Sequence, residues 1–295
     1  MLIYGLRLLY GDYKFAGGEK GRIRVGQMPG TELTVSYYGR KLSSDQGLQG
    51  FGTLWEARRV GINYEIGGFS ISAISMRQDA AAVTGLFTAA DSGFSNVEFS
   101  EVMPRIVAAY SVSSFKVAGT YVKSSVMANN TVTGETDRRY HVDAGHLMVA
   151  ANPKIANNTR LIASGFYSVN GGLYQMVAIG GGHDPYEAVR RDLWALPQLK
   201  KPGKGDMYNT SIYGGAIALN VNGFEAGFGI QSAGSDAWEE NQTGKLVYGN
   251  YTYRVSGFSI TPEVGYIHSG NRARTPGAPR DTRGFHAGVQ FRFDI

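Results

Sequence analysis

Alternation with a period of two runs through this chain almost from end to end. In the closing stretch GFHAGVQFRFDI every second residue is apolar: Phe285, Ala287, Val289, Phe291, Phe293 and Ile295. Between them stand His286, Gly288, Gln290, Arg292 and Asp294. The pattern also marks Leu2 to Tyr10, Leu33 to Tyr37, Val60 to Ile66, Phe69 to Ala73, Ile106 to Val112 and Phe115 to Tyr121. It returns in Ile217 to Val221, Phe224 to Ile230, Val247 to Val255 and Phe258 to Tyr266. Successive side chains of a strand point to opposite faces, so each run reads as a β-strand with one greasy and one polar face. A helical pattern stands out only in YEAVRRDLWAL, residues 186–196.

The connections alternate as well. IGGFS, VSSFK, VNGFE and VSGFS are tight turns, and MPGTE and NPKIANN are slightly longer. Between them lie long polar stretches, at 41–55, 78–103, 124–139, 170–207, 232–244 and 269–281. Short and long connections in turn fit an up-and-down meander with one plain end and one elaborate end. The reading is all-β and antiparallel, with about fourteen strands. Weaker segments at 140–152 and 157–169, together with GLYQMVAI, leave room for roughly sixteen. No domain boundary is visible, so residues 1–295 form a single domain.

Which solvent does the greasy face meet? A soluble barrel would turn it inward and carry a charged outer face on strands of about 5–6 residues. Here the runs are longer, and the second face holds Gly, Ser, Thr, Asn, Tyr and scattered Arg. Charged residues are 18% of the chain, below the ~25% of ordinary soluble domains. Phe69, Phe115, Phe224 and Phe258 each open a strand just after a short turn, and Tyr10, Tyr37, Tyr121 and Tyr266 close apolar runs at the far end. Aromatics at both ends of an aliphatic band are the two girdles of a transmembrane β-barrel. In such a barrel the last strand must pair with the first, because lipid offers no hydrogen bonds to a free edge. Both termini then lie at the short-turn end and the strand number is even. Pro262, inside Phe258 to Tyr266, should mark a bulge or a late start of pairing.

Other classes find little support. The chain has no cysteine, so it has no disulfide framework, thiolate metal site or cysteine nucleophile. The net charge of +5 is spread along the sequence, which argues against nucleic acid as a partner. No apolar run is long enough for a transmembrane helix. The opening MLIYGLRLLYGDY lacks the basic region and cleavage site of a signal peptide, so either the numbering describes a mature form or a segment is missing upstream.

The C-terminal His286, Gly288, Phe291 and Phe293 carry a resemblance. The order polar, x, Gly, x, x, hydrophobic, x, aromatic is similar to the terminal assembly signal of bacterial outer-membrane porins. Asp294 and Ile295 depart from it, since the signal usually ends on Phe. The resemblance covers the whole chain as pattern and only the last strand as motif. It implies an integral protein of the bacterial outer membrane, with both termini periplasmic, short periplasmic turns and long extracellular loops. The implied partners are outer-membrane lipids, lipopolysaccharide and the outer-membrane assembly machinery, with a homotrimer as the implied assembly and no cofactor or metal. The implied function is a water-filled channel for small hydrophilic solutes and ions.

In such a channel the inward face is the working surface. Parity turns Arg7, Arg22, Arg24, Arg40, Arg59, Arg105, Lys116, Arg160, Arg254 and Arg292 inward, against Glu32, Glu65, Glu225, Glu263 and Asp294. The basic excess predicts a mild anion preference. Arg7, Arg22, Arg24, Arg40 and Arg59 lie on the first four strands and should share one wall. Asp79, Asp91, Glu98 and Glu101 give 78–103 the charge of a loop folded inward against that wall; 170–207 is the competing candidate. Tyr38, Tyr248 and Phe166 also face inward, too few for the aromatic ladder of a substrate-specific channel. His141 and Asp143 share a strand face, yet no nucleophile motif accompanies them, and His183 beside Asp184 in GGGHDPY offers two metal ligands on a Gly-rich loop, a weak signal. A barrel enzyme of lipase or protease type is therefore the weaker alternative.

Overall fold

A computed structural model describes residues 9–15, 21–28, 48, 52, 59–75, 94–131, 133–141, 143–170, 198–199, 207–235, 241–270 and 281–293. Among these residues the structure is β throughout. The strands are β1 (Leu9–Lys14), β2 (Arg22–Met28), β3 (Arg59–Ile66), β4 (Phe69–Ile74), β5 (Phe94–Val102), β6 (Arg105–Val112), β7 (Phe115–Val122), β8 (Ser124–Asn130), β9 (Glu135–His141) and β10 (Ala144–Ala151). They continue with β11 (Lys154–Ala156), β12 (Thr159–Val169), β13 (Gln198–Leu199), β14 (Met207–Tyr208), β15 (Thr210–Val221), β16 (Phe224–Ser235), β17 (Gln242–Tyr251), β18 (Tyr253–Val255), β19 (Phe258–Gly270) and β20 (Asp281–Phe293).

The main sheet runs β1-β2-β3-β4-β6-β7-β10-β12-β15-β16-β17-β19-β20, and every ladder in it is antiparallel. β11 and β18 prolong β10 and β17 beyond a break, so its fifteen strands make thirteen passes. This is the expected up-and-down meander, with a count close to the fourteen read from the sequence. The segments at 140–152 and 157–169 are strands, as the larger count allowed. Leu2 to Leu8, Leu33 to Tyr37, GLYQMVAI and YEAVRRDLWAL lie outside the described residues. Among the described residues no ladder joins β1 to β20.

Neighbouring strands turn at Gly67–Gly68, Ser113–Ser114, Asn222–Gly223 and Ser256–Gly257. Asn222 (φ 50°) and Gly223 (φ 88°) take the left-handed conformation that a two-residue hairpin twisting with its strands requires. β20 ends at this short-turn side, since Phe293 faces Phe258. The first hairpin differs from expectation. Lys14 pairs with Arg22, and Arg22 with Glu65 beside the 67–68 turn. β1 therefore runs toward the short-turn end, and Tyr10 does not cap an ascending strand. Its face differs too. Leu9 and Tyr13 are exposed on the outer side, whereas Tyr10 lies under the Arg24 guanidinium, 4.3 Å from its ring centre. The adjacent Leu8 and Leu9 interrupt the alternation, and parity counted from Leu2 fails beyond them.

Two stretches read as loops are partly strand. β5 leads through Met103 and Pro104 into β6, β7 leads through Lys123 into β8, and β9 leads into β10. β5, β8 and β9 form their own three-stranded sheet beyond the main one. FSNVEFSEV and SSVMANN lack the clean alternation of the main sheet, which is why they read as loop.

Pro262 causes no bulge on its β20 side, where Thr261, Pro262 and Glu263 pair in step with Gln290, Val289 and Gly288. The other ladder is the one that breaks, between Asn250↔Glu263 and Tyr253↔Ile260. A proline has no N–H to give there. Hydroxyls of Thr252 and Thr261, 3.1 Å apart, bridge the gap.

The two faces of the sheet differ in kind. On one, Phe285, Phe293, Val264, Leu147, Ile217 and Val247 are exposed. Phe69, Phe115 and Phe224 line its short-turn edge, and Tyr121, Tyr167 and Tyr213 stand toward the other. On the opposite face Ile212, Ala233, Leu246 and Gln231 have no exposed surface. Inward rings lie over cross-strand glycines: Phe166 over Gly214, Tyr248 over Gly227 and His286 over Gly265. A Cβ on Gly265 would overlap the His286 ring and sit 2.8 Å from the Val247 carbonyl, whereas one on Gly249 would meet no atom within 4 Å. Gly265→Ala should therefore cost about 1–3 kcal/mol through overpacking, while Gly249→Ala should change little. The midpoint of heat- or urea-induced unfolding in detergent tests this, and equal midpoints would refute the ring-over-glycine packing.

Candidate functional site: the inward polar rows

Registers across successive ladders assemble the inward residues into rows. One row runs Asp12, Arg24, Asn63, Ser72, Val107, Thr120, His146, Ser168, Ile212. At its β1 end Arg24 donates to Asp12 through Nε (2.7 Å) and a terminal nitrogen (3.2 Å), a two-pronged geometry suited to a carboxylate. Arg22, one step nearer the short turns, bonds Glu65 and lies 3.7 Å from Asp12. Farther along, Asn63 Nδ2 donates to the Ser72 hydroxyl at 2.9 Å and Thr120 donates to the Ile106 carbonyl at 2.8 Å. His146 is buried two strands from Arg105, also buried.

A second row, near the short-turn end, runs Arg160, Asn220, Glu225, Asn250, Glu263, Gly288. Acids alternate with amides, so each carboxylate has a donor on a neighbouring strand. Glu225 accepts from Tyr248 Oη at 2.8 Å and Asn220 Nδ2 at 3.1 Å. Glu263 accepts from Asn250 Nδ2 at 3.3 Å, and its other oxygen meets His286 Nε2 at 3.0 Å. Both acids are buried, and a buried carboxylate without donors would be costly.

Some predicted site residues come together and others do not. Arg22 and Arg24 share a wall, as expected, but each has a carboxylate partner. Asp12 had escaped the inward count because parity placed it outward. Arg105 is buried on the inner face. Arg59 opens β3 opposite Met28, while Arg7 and Arg40 lie outside the described residues. Lys116, Arg160, Arg254 and Arg292 take the expected parity, opposite to that of Val117, Tyr253, Val255, Phe291 and Phe293. Tyr248 and Phe166 are inward and buried, as read. His286 and Gly288, read as parts of the assembly signal, line the inner face, and Phe291 and Phe293 lie outward, packing with Phe258 at centroid distances of 6.2 and 4.9 Å.

The acids expected on a constricting loop are distributed otherwise. Asp79 and Asp91 lie outside the described residues. Glu98 and Glu101 are on β5, Glu98 exposed and opposite Met127, in the three-stranded sheet. A different segment reaches the inner face. Leu48, with no exposed surface, belongs to the same cluster as Val107, Met148, Ile212, Ala216 and Leu246. Gly52 lies against the Gly215 carbonyl, and a Cβ on it would be 2.9 Å from the Ile230 carbonyl. Nothing but the length of 41–55 pointed to this contact beforehand.

In the pair His141 and Asp143, weighed as a catalytic arrangement, Asp143 is engaged by other groups. The Asp143 carboxylate accepts from Tyr121 Oη at 2.8 Å and the Ser124 N–H at 3.2 Å. His183 and Asp184 lie outside the described residues, and among those described no group of three metal-ligating side chains occurs.

No model of a known protein family matches the sequence, and no curated protein matches it either. Solved structures do show a distant likeness. OmpT (in-vitro folded), an outer membrane protein of Vibrio cholerae, is 12% identical over 92% of this chain and 76% of its own, with a TM-score of 0.44. Its trimer form is 13% identical over 93% and 78%, with a TM-score of 0.46. Outer-membrane expressed OmpT of Vibrio cholerae is 11% identical over 89% and 78%, with a TM-score of 0.43. Likenesses this distant do not establish a shared fold, and the architecture rests on the strand ladders themselves.

Tyr248→Phe removes one of the two donors to Glu225. We expect a loss of about 1–3 kcal/mol in stability, the cost of an under-bonded buried carboxylate. Tyr251→Phe, on the outer face, should stay within about 0.5 kcal/mol. Urea unfolding of both variants in lipid vesicles is the measurement, and a neutral Tyr248→Phe would remove the hydroxyl from the network.

Proposed function

We propose that this chain is an outer-membrane channel that passes small hydrophilic solutes and ions by diffusion. The observation that carries this reading is the contrast between the two faces. Leu9, Val60, Ile62, Leu147, Ile217, Val247, Val264 and Phe285, from β1 to β20, leave an apolar surface exposed far beyond an ordinary surface patch. Aromatic side chains flank it, and lipid is the medium that suits it. The other face carries ion pairs, amides and hydroxyls at matched registers, as a polar passage needs. Outer-membrane lipids, lipopolysaccharide, the assembly machinery and a homotrimer belong to this reading through the terminal signal.

Leu48 in the buried cluster of the inner face and Gly52 against the Gly215 carbonyl support a narrow passage whose constriction lies at these two residues. This favours restricted solutes over a wide pore and keeps the substrate-specific channel as the second reading.

Anion preference also has a revised origin. Arg22 and Arg24 are neutralised by Glu65 and Asp12. Lys116, Lys154, Arg160, Arg254 and Arg292 stand at the short-turn edge, and Ser259 is flanked by Arg254 and Arg292. That edge carries the field. At ~0.15 M salt screening acts over ~8 Å, so the preference is modest and declines as salt rises.

In planar bilayers the protein should give stepwise conductance, with larger steps for Leu48→Ala and unchanged steps after deletion of 79–91. Under unequal potassium chloride the zero-current potential should report faster chloride. Arg254→Gln with Arg292→Gln should move it toward potassium, and Arg22→Gln with Glu65→Gln should scarcely move it. Silent bilayers combined with ester or peptide turnover would replace the channel by the barrel-enzyme reading.

A further inference from the structure

Between the β11–β12 and β15–β16 turns lies a cavity of about 490 Å³. Lys154, Arg160, Asn157, Asn158, Asn220 and Asn222 line it, and no carboxylate does. Its volume falls within the ~300–1,000 Å³ of small-molecule sites.

The register makes the charge of this cavity unusual. Lys154 faces Arg160 directly across the ladder, at a point where a bulge shifts the pairing before Ala156. Like charges at directly facing positions repel. Neither cation has a hydrogen-bond or ion-pair partner among the described residues. Arg160 also faces Asn220, and the acid next along that row is Glu225. Its carboxylate is already engaged by Tyr248 and Asn220 and is not among the groups lining the cavity. The contrast with β2 is direct, because there Arg22 and Arg24 each meet an acid.

Two unneutralised cations ringed by amides form a site for an anion. A guanidinium offers a flat fork of donors that matches two oxygens of a tetrahedral oxyanion. The lysine ammonium adds a compact charge, and four asparagine amides can donate to remaining oxygens. Phosphate, with its charge and its several acceptor oxygens, uses all three kinds of donor. A chloride ion would use the charge and leave the fork without its match. We propose that this cavity binds a phosphate group, carried by a free solute or by a lipid headgroup at the membrane face. The proposal stands on the cavity and its charge, not on passage through the barrel, so it survives or fails independently of the channel reading.

The test uses the whole protein in a non-ionic, phosphate-free detergent at constant ionic strength near ~0.15 M, set by chloride to suppress non-specific attraction. Inorganic phosphate is titrated calorimetrically into wild type, Lys154→Gln, Arg160→Gln and the double variant, with Lys245→Gln, an exposed cation of β17, as a control outside the cavity. In a second arm, phosphatidylglycerol retained by each protein is counted by native mass spectrometry, with and without added phosphate. Saturable phosphate binding, weakened about tenfold or more in the double variant and unchanged in the control, is expected. Lipid retention that phosphate displaces and the double variant loses would identify the headgroup as the source. Phosphate binding without such retention would identify a free solute. Heat-modifiable gel mobility confirms folding, and the single variants stand in if the double variant does not fold. Absence of saturable binding in both arms, or equal binding in wild type and the cavity variants, would overturn the proposal.

Discussion

The antiparallel backbone ladder governs everything else in this molecule. A strand whose outer side chains meet hydrocarbon can satisfy its N–H and C=O groups only on neighbouring strands. In the main sheet each pass from β2 to β19 has a ladder on both sides. The place where one fails shows how strong the demand is. Opposite Pro262 the β17 ladder stops, a threonine pair bridges the gap, and pairing resumes as β18. Once the ladders are set, the face of every side chain follows, because alternation has a period of two. The apolar outer surface and the polar rows are thus two consequences of one pattern.

Charge on the inner face is settled strand by strand. Arg22 and Arg24 of β2 each meet a carboxylate across a ladder, and Glu225 and Glu263 each meet an amide together with a tyrosine or a histidine. Desolvation makes unpartnered groups costly there, so local compensation is what allows the rows to be buried. Lys154 and Arg160, which face each other near the short-turn edge, have no such partner among the described residues. A selectivity field does not then follow from a count of inward residues. It follows from which of them lack a facing counter-charge.

Much of this was legible in the sequence, and the physical limits of the reading are clear. β12, β15, β16, β19 and β20 are long and alternate because an exposed apolar face on one side and polar neighbours on the other write unlike residues at successive positions. Parity correctly turned Glu65, Glu225, Glu263, Tyr248 and Phe166 inward. It failed on β1, where Leu8 and Leu9 adjoin, and so concealed Asp12. β5 and β8 were read as loops because neither alternates cleanly. Partners were hidden for a different reason. Parity gives the face of a residue, but register decides which residue stands opposite, and register depends on turns and bulges such as that at Lys154. His286 was legible as part of a terminal signal, while its bond to Glu263 was not.

Stagger and side-chain size together explain why the interior closes where it does. The row that begins at Lys14 and Arg22, beside the short turns, passes through Ser70, Ala118, Phe166, Gln231 and Ser269 and reaches Thr282, at the far end of β19 and β20. A perpendicular row can climb in this way only if the strands are strongly tilted, which is the tilt that curves a sheet toward a barrel. Along the curved inner face the residues are not uniform. β15 and β16 present Gly214, Ala216, Ala218, Gly227 and Gly229, and Phe166 and Tyr248 from adjacent strands lie over two of these glycines. Small residues leave the backbone open to close approach, and the contact of Gly52 with the Gly215 carbonyl occurs on these same two strands. Leu48 then enters a cluster that inward side chains alone would leave incomplete. The buried cluster of the inner face thus combines a glycine-rich wall with one apolar side chain reaching it, and the polar rows run along the same face.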